Sequence, residues 1–247
     1  MTTRIRGTLF VAGLAVVALL ATACGGGGAA THFGLPKKNS QPAGITTGPD
    51  GNLWFALQKT DRIARMTTDG DVKEFPIPYK GPTRPNPWGV AVGKDGNIWF
   101  TEQGTAKIGR ITTAGEITEF PLAPKVGPAD ITLGPDGNIW FTEHYVGKVG
   151  RITPDGVVTE YAVGGKKSSP KGIVAAADGN LWFTDLGTNR IGRVTTSGDV
   201  KDYAVGGGYR QLQGIAAGPD GNVWFTETHA NTVSRHTLDR SSAEGKK

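Results

Sequence analysis

The sequence is poor in residues that cross-link a fold or hold a soft metal. Among 247 residues it has one cysteine, four histidines and two methionines. A single cysteine, Cys24, cannot form an intrachain disulfide or supply a thiolate metal cluster. Basic residues form no long run, although the formal net charge is +5, so nothing indicates nucleic-acid binding. We expect a mildly basic protein that binds no nucleic acid and whose fold does not depend on disulfides.

Long apolar runs are also scarce, and the one that stands out extends from Leu9 to Ala21. It is shorter than the roughly 20 apolar residues that a membrane-spanning helix needs. Arg4 and Arg6 precede it, and small residues follow it. This pattern is typical of a secretory signal peptide, which we assign to residues 1–23.

The residues that follow the apolar run favour lipidation. Ala21-Thr22-Ala23-Cys24, followed by four glycines, resembles a bacterial lipobox and its flexible tether, here residues 24–30. Acylation of Cys24 by more than one chain would anchor the protein stably. The alternative is cleavage near Ala23 and release of a soluble protein. Both outcomes predict an exported protein. Lipidation predicts a cell-surface or periplasmic lipoprotein that contacts the membrane only through its lipid anchor, and cleavage predicts a secreted protein.

What the sequence has in abundance is one repeated motif, Asp-Gly-Asn followed by an apolar residue, tryptophan and phenylalanine. The motif starts at Asp50, Asp95, Asp136, Asp178 and Asp220. Its tryptophans, Trp54, Trp99, Trp140, Trp182 and Trp224, are 41 to 45 residues apart. A fixed period in the low forties with several strands per unit is typical of a β-propeller blade.

Each unit predicts four antiparallel strands. In the third unit the predicted strands are Asp130 to Leu133, Ile139 to Thr142, Lys148 to Thr153, and Val157 to Ala162. The glycine and asparagine of the motif suit the turn between the first two strands. The second strand is apolar at consecutive positions, so we expect both of its faces to be buried between neighbouring blades.

The two ends of the repeat array predict how a ring would close. The last unit, Gly214 to Thr237, has three strands, whereas Thr31 to Pro36 resembles a solitary fourth strand. We therefore predict an all-β, five-bladed β-propeller at residues 31–238, closed by this N-terminal strand in the last blade. Residues 239–247 are predicted to be a disordered tail.

Four of the predicted second strands end in a residue with a carboxylate side chain. These residues should lie on one rim of the propeller, which is the candidate functional site. They are Glu102, Glu143, Asp185 and Glu227. Gathered around one axis, they would repel one another unless a hard cation such as Mg²⁺ or Ca²⁺, or arginine, offset their charge. The alternative is structural, with bonds to backbone groups or to third-strand arginines. The aspartates of the repeat motif lack calcium-loop spacing and are interpreted as turn formers.

Two of the histidines follow these carboxylates, in Glu143-His144 and Glu227-Thr228-His229. A histidine beside carboxylates can act as a general base near neutral pH. The alternative for either is an ordinary surface residue. His236 belongs to a third strand and is interpreted as structural.

The repeated Trp-Phe-Thr-Glu, the Lys148-Val149-Gly150-Arg151-Ile152-Thr153 strand and the Thr-Glu-Phe/Tyr strand resemble the virginiamycin B lyase (streptogramin lyase) family. The resemblance implies a seven-bladed fold and Mg²⁺-dependent opening of a cyclic depsipeptide by elimination, with a histidine removing the α-proton. Glu227-Thr228-His229 matches the family's Glu-x-His, which implies Glu227 as metal ligand and His229 as base. His32 aligns with a second metal-binding position.

Two functional hypotheses remain open at this stage. The first is a lyase that acts on a small cyclic peptide. The second is a non-catalytic, monomeric lipoprotein whose rim binds another extracellular ligand through carboxylates, lysines and the aromatic residues Trp88, Tyr145 and Tyr209. The fold alone does not choose between them.

Overall fold

The computed structural model describes residues 30–238, and these residues are almost entirely β-structure. The chain divides into a short unit, residues 1–34, and a large unit, residues 35–247, which contains every strand. The helical segment in the described range, the 3₁₀ turn Gln58–Thr60, is far too short to cross a membrane. The predicted signal peptide, Cys24 and the C-terminal tail lie outside the described residues and stay predictions.

The described strands form four four-stranded sheets and one three-stranded sheet, all antiparallel and in chain order. Sheet 1 comprises β1 (Pro42–Thr47), β2 (Leu53–Leu57), β3 (Arg62–Met66) and β4 (Val72–Pro76). Sheet 2 comprises β5 (Pro87–Val92), β6 (Ile98–Glu102), β7 (Lys107–Ile111) and β8 (Ile117–Pro121). Sheet 3 comprises β9 (Pro128–Leu133), β10 (Ile139–Glu143), β11 (Lys148–Ile152) and β12 (Val158–Ala162). Sheet 4 comprises β13 (Pro170–Ala175), β14 (Leu181–Asp185), β15 (Arg190–Val194) and β16 (Val200–Ala204), and sheet 5 comprises β17 (Leu212–Ala217), β18 (Val223–Glu227) and β19 (Thr232–His236).

The repeat motif forms the turn between the first two strands of every sheet. In sheet 3, Oδ1 of Asp136 accepts hydrogen bonds from the backbone N–H of Asn138 at 3.2 Å and from Nε1 of Trp140 at 3.0 Å. Gly137 takes a φ of 80°, which favours glycine. The same aspartate-to-tryptophan bond recurs in all five turns. The interpretation of these aspartates as turn formers is confirmed.

Consecutive sheets pack face to face through a repeated interface. Trp140 and Val149 of sheet 3 lie against Ile173 and Phe183 of sheet 4 in one buried cluster. Because each inner sheet is covered on both sides, β6, β10 and β14 are buried along their whole length, as predicted. The hydroxyl of Thr142 on β10 links sheet 3 to the first strand of sheet 4. Its Oγ1 donates to the carbonyl of Lys171 on β13 at 2.7 Å. The result is an all-β array of antiparallel sheets, consistent with a propeller.

The predicted closing strand is absent. Residues 31–36 form no strand, and sheet 5 keeps three strands, which corrects the prediction that this segment completes the last blade. The physical reason lies at the start of the large unit, where Leu35 packs on the outer face of sheet 1, against the cluster of Phe55 and Leu57. At the other end of the array, β17 packs beside β13 but not beside β1. The edge of β19 is therefore left without a partner strand among the described residues.

Candidate functional site

The four rim carboxylates are buried. Each is the last residue of the second strand of its sheet, and each side chain is at most 1% exposed: Glu102, Glu143, Asp185 and Glu227. Each is therefore enclosed by neighbouring groups, although the sequence analysis placed all four on a rim, gathered around one axis. The second strand lies between the first and third strands of its own sheet. Neighbouring groups of that sheet therefore shield its last side chain from solvent.

In sheets 2 and 3 the buried carboxyl group faces a second one on the fourth strand. Neither oxygen of Glu143 accepts a hydrogen bond from an N–H or O–H group, and its neighbour is the carboxylate of Glu160. Glu160 is itself paired with Lys148, at 2.5 Å. Burial, followed by repulsion from Glu160, raises the pKa of Glu143 to about 8. Burial likewise raises the pKa of Glu102 to about 8. Both are therefore protonated near neutral pH.

We expect the free energy of unfolding to fall as pH rises from about 4.5 to about 8. A carboxyl group whose pKa is higher in the folded state binds a proton that the unfolded chain releases, so its contribution is complete below the unfolded pKa and is lost above the folded one. The slope is at most about 1.4 kcal/mol per pH unit for each group. Urea unfolding of Glu143→Gln should show a shallower decline and a gain over the wild type at pH 8.

The matched control for this experiment is Asp69→Asn, which removes an exposed carboxylate in the turn after β3. Its unfolding free energy should follow the wild-type pH dependence. If Glu143→Gln leaves that dependence unchanged, the buried carboxyl pair is not its source.

Of the two structural alternatives, bonding to backbone groups is borne out at Asp185. Third-strand arginines were an alternative partner, but Arg151 lies 3.8 Å from the turn residue Asp136 and over the ring of Trp140 instead. Asp185 organises the loops around it, accepting from Ser168 Oγ at 2.6 Å and from the backbone N–H of Ser169 at 2.8 Å. Its role is structural in the described chain.

Glu227 is the exception, because its sheet has no fourth strand and so no second carboxylate. Its Oε2 accepts from Arg210 Nη1 at 2.6 Å. Burial opposes ionisation of Glu227, but its polar neighbours Ser234, Arg210 and Thr232 outweigh it and lower the pKa. A cavity of about 360 Å³ beside β19 is lined by Glu227, Arg210 and His236, among others. The site therefore contains an ionised carboxylate held by a guanidinium.

His229 lies in the loop that follows β18 and is exposed. Its backbone N–H donates to the carbonyl of Arg210 at 3.1 Å, and its ring centroid is 5.7 Å from that of Tyr209. Because β18 ends at Glu227 and a turn begins at residue 228, strand alternation does not place the side chains of Glu227 and His229 on one side. The loop contacts, rather than the strand, therefore place the backbone of His229 next to that of Arg210.

His144 occupies the comparable loop of sheet 3 but is half-buried. Its Nδ1 lies 2.9 Å from Ser169 Oγ, and burial together with the charge of Lys171 lowers its pKa. Its ring packs against that of Tyr145, with centroids 5.3 Å apart. The sequence analysis placed His144 on the rim but did not identify Ser169 as its partner. The sequence feature that marks this position is the pair of serines directly before Pro170.

The other two histidines, His236 and His32, have different local settings. The ring of His236 packs against those of both Trp182 and Tyr203, with centroids 5.1 and 4.7 Å away, which agrees with its structural interpretation. His32 belongs to the short unit that ends at Gly34 and is not part of a strand. Its role as a second metal ligand stays a prediction.

A second group of polar and aromatic side chains lies on the first strands of sheets 2 to 5. Lys171 Nζ is 4.4 Å from the ring centroid of Trp88, and burial lowers the pKa of this lysine. These two residues and Gln213 line a cavity of about 200 Å³. Asp130, which the sequence analysis did not single out, accepts backbone N–H bonds from Ile131 and from Ile173 of the next sheet.

The described residues do not fit the Mg²⁺ site that the resemblance implied. Within residues 30–238, no group of three histidine, cysteine, aspartate or glutamate side chains could hold a metal ion. Glu227 already has Arg210 as its cationic partner. The Mg²⁺ requirement stays a prediction, and no chemical step is assigned to the ion.

Comparison with known proteins identifies the family of the chain. The model of the virginiamycin B lyase family matches residues 23–205 and 79–244. The chain belongs to this family. A crystal structure of a catalytically inactive histidine-to-alanine variant of virginiamycin B lyase from Staphylococcus aureus, solved with quinupristin, is similar at a TM-score of 0.78 and 35% identity, covering 86% of this chain and 75% of that one.

Other members agree with the family assignment. A streptogramin B lyase structure has a TM-score of 0.57 and 31% identity over 86% of this chain and 88% of its own. The virginiamycin B lyase of Bordetella pertussis is 41% identical over 49 residues, which are 20% of this chain and 16% of that protein. The match to this curated relative thus spans well under a fifth of its length.

Proposed function

We propose that this family member is an exported carbon–oxygen lyase, built on five propeller blades, that opens a small cyclic depsipeptide by elimination. The observation that carries the proposal is the position of His229. It is exposed, and its backbone N–H is bonded to Arg210, whose guanidinium is fixed by the buried, ionised Glu227. The family assignment supports this choice of chemistry.

In the proposed reaction, a ring nitrogen of His229 takes the α-proton next to a substrate carbonyl. The electron pair of the broken C–H bond forms the α,β double bond, and the bond from the β-carbon to the ester oxygen breaks. The ester leaves as a carboxylate, so the ring opens without consuming water. Arg210, oriented by Glu227, supplies positive charge near the carbonyl on which negative charge develops.

The test is incubation of the purified full chain with quinupristin, the compound present in the S. aureus crystal structure. Chromatography coupled to mass spectrometry should show a linear product of the same mass as the substrate, because elimination adds no water. Parallel reactions with and without Mg²⁺ test the predicted metal requirement. Binding of quinupristin without any product would reject the lyase and favour the second candidate.

That second candidate is a ligand-binding lipoprotein without catalysis, and the rim aromatics favour it. Tyr145 and Tyr209 are 62% and 58% exposed, and each packs beside a rim histidine, His144 and His229 respectively. Exposed aromatic rings with a polar end are common at recognition surfaces. Tyr209→Ala should weaken ligand binding in calorimetric titrations under either function.

The proposal also places the protein outside the cytoplasm, anchored through Cys24. If acyl chains on Cys24 hold it at the membrane, Cys24→Ala should move most of the protein from the membrane fraction to the soluble fraction. Immunoblots of fractionated cells measure this shift. A control, Ser40→Ala, should leave the distribution unchanged. Equal soluble export of the wild type and of Cys24→Ala would contradict lipidation.

A further inference from the structure

The cavity among the first strands of sheets 2 to 5 is lined by side chains that take no part in the proposed reaction. Three of them stand at corresponding positions, each directly before a glycine: Trp88 on β5, Lys171 on β13 and Gln213 on β17. All three are partly buried. The turn and tryptophan of the repeat motif keep one residue type in every sheet, whereas these three side chains differ in size and charge. The position therefore departs from the repeat where it lines the cavity.

Each of these three side chains has an N–H group without a hydrogen-bond partner in residues 30–238. The indole N–H of Trp88 differs in this respect from those of the motif tryptophans, which all donate to an aspartate. The ammonium group of Lys171 lies over the ring of Trp88, and no carboxylate oxygen of the described chain is within 4.0 Å of it. The side-chain amide of Gln213 is likewise unbonded. Three such donors around one cavity favour a ligand that accepts hydrogen bonds.

The carboxyl group that lines the same cavity, that of Asp130, is already engaged by the backbone. Its Oδ1 accepts from the N–H of Ile131 at 2.9 Å, and its Oδ2 accepts from the N–H of Ile173 at 3.1 Å. Burial raises the pKa of Asp130, which opposes its ionisation. Within the described part of the chain, Lys171 therefore brings to the cavity a positive charge with no carboxylate in direct contact.

The size of the cavity and the kind of donor together define the ligand. Its volume of about 200 Å³ lies below the roughly 300 to 1,000 Å³ of pockets that hold drug-sized molecules, so the ligand is small. One cation beside neutral N–H donors suits a single carboxylate, whose two oxygens accept charge-assisted hydrogen bonds. The indole of Trp88 offers an apolar surface to the rest of the molecule.

We propose that this cavity binds a small organic carboxylate, with its charged end on Lys171 and Gln213 and its apolar part against the indole of Trp88. The ammonium group supplies the opposite charge, and the amide supplies a neutral hydrogen bond. This site does not depend on the proposed lyase, because His229, Arg210 and Glu227 do not line the cavity.

The experiment adds benzoate to the ¹⁵N-labelled full chain in a mild detergent and follows the indole N–H resonances by NMR. The sequence has six tryptophans, and Trp88→Phe identifies the resonance of Trp88 as the one that disappears. This resonance should shift saturably with benzoate, whereas those of the motif tryptophans should stay in place because their N–H groups are bonded to aspartates. Benzamide, which has a similar shape but no charge, should bind about tenfold more weakly or worse.

Lys171→Met should weaken benzoate binding by about tenfold or more, because a hydrogen bond to a charged group is lost. Gln213→Leu should weaken it by a few-fold. Lys201→Met is the matched control, since the ammonium group of Lys201 also lies over an aromatic ring, 5.2 Å from the centroid of Tyr203, but is exposed. Its affinity for benzoate should equal that of the wild type.

Three results would overturn the proposal: a Trp88 resonance that benzoate does not move, equal affinity for benzamide and benzoate, or wild-type affinity in Lys171→Met. Inorganic phosphate is the competing anion, and a Trp88 resonance that responds to phosphate but not to benzoate would also reject a carboxylate site. None of these results bears on the opening of quinupristin, so the two proposals fail separately.

Discussion

Replacing His229 by alanine should lower the rate of depsipeptide opening by about 10² to 10⁴-fold, the usual contribution of a positioned general base. The substitution removes the ring that takes the α-proton. It leaves the backbone bond between residue 229 and Arg210, because that bond uses main-chain atoms. The fold should be unaffected, since the side chain is exposed. The rate constant for product formation at saturating quinupristin is the quantity to measure.

His144→Ala is the matched control, because His144 also follows the last carboxylate of a second strand and packs beside a tyrosine. It is half-buried and bonded to Ser169, so its loss should leave the rate within a few-fold of the wild type. If His229→Ala retains full activity, or if His144→Ala is the inactive variant, the base has been assigned to the wrong loop.

The second large effect concerns stability. Trp140→Ala should lower the free energy of unfolding by about 3 to 5 kcal/mol, the range typical of a large buried aromatic residue. Trp140 is fully buried, stacks on Tyr161 with centroids 5.5 Å apart and donates to Asp136. The substitution would empty a space between two sheets and leave the Asp136 bond unmade. Denaturant unfolding monitored by circular dichroism measures the change.

Trp224→Ala is the matched control for this prediction, because Trp224 has the same motif and the same bond to its turn aspartate but one bare face. In dilute solution its loss should destabilise the chain clearly less than that of Trp140. Equal losses would mean that burial between sheets is not what makes the motif tryptophan important.

The strands were predictable from the sequence because their signals are local. The Asp-Gly-Asn turn fixes each hairpin, and the predicted strands of the third unit agree with β9 to β12 to within two residues at either end. The ends of the array were not predictable in this way. Whether residues 31–36 pair with β19 depends on contacts between distant parts of the chain, and Leu35 packs on sheet 1 instead. Local strand propensity carries no information about that competition.

The candidate site was only half predictable for a related reason. The repeat motif placed Glu143 and Glu227 correctly at the ends of second strands, yet their charge states differ. The difference arises on other strands. Burial raises the pKa of Glu143 and Glu160 on β12 raises it further, whereas sheet 5 has no fourth strand among the described residues and Arg210 pairs with Glu227. A motif of three residues, Glu-x-His, does not contain either partner.

The most direct test of the account is the reaction of the full chain with quinupristin in water enriched in heavy oxygen, followed by mass spectrometry of the opened product. Elimination at His229 predicts a linear product with the mass of the substrate, no incorporated heavy oxygen and a new carbon–carbon double bond. A product that carries one heavy oxygen atom would show hydrolysis, and unchanged quinupristin would show no catalysis. Either result would contradict the proposed lyase.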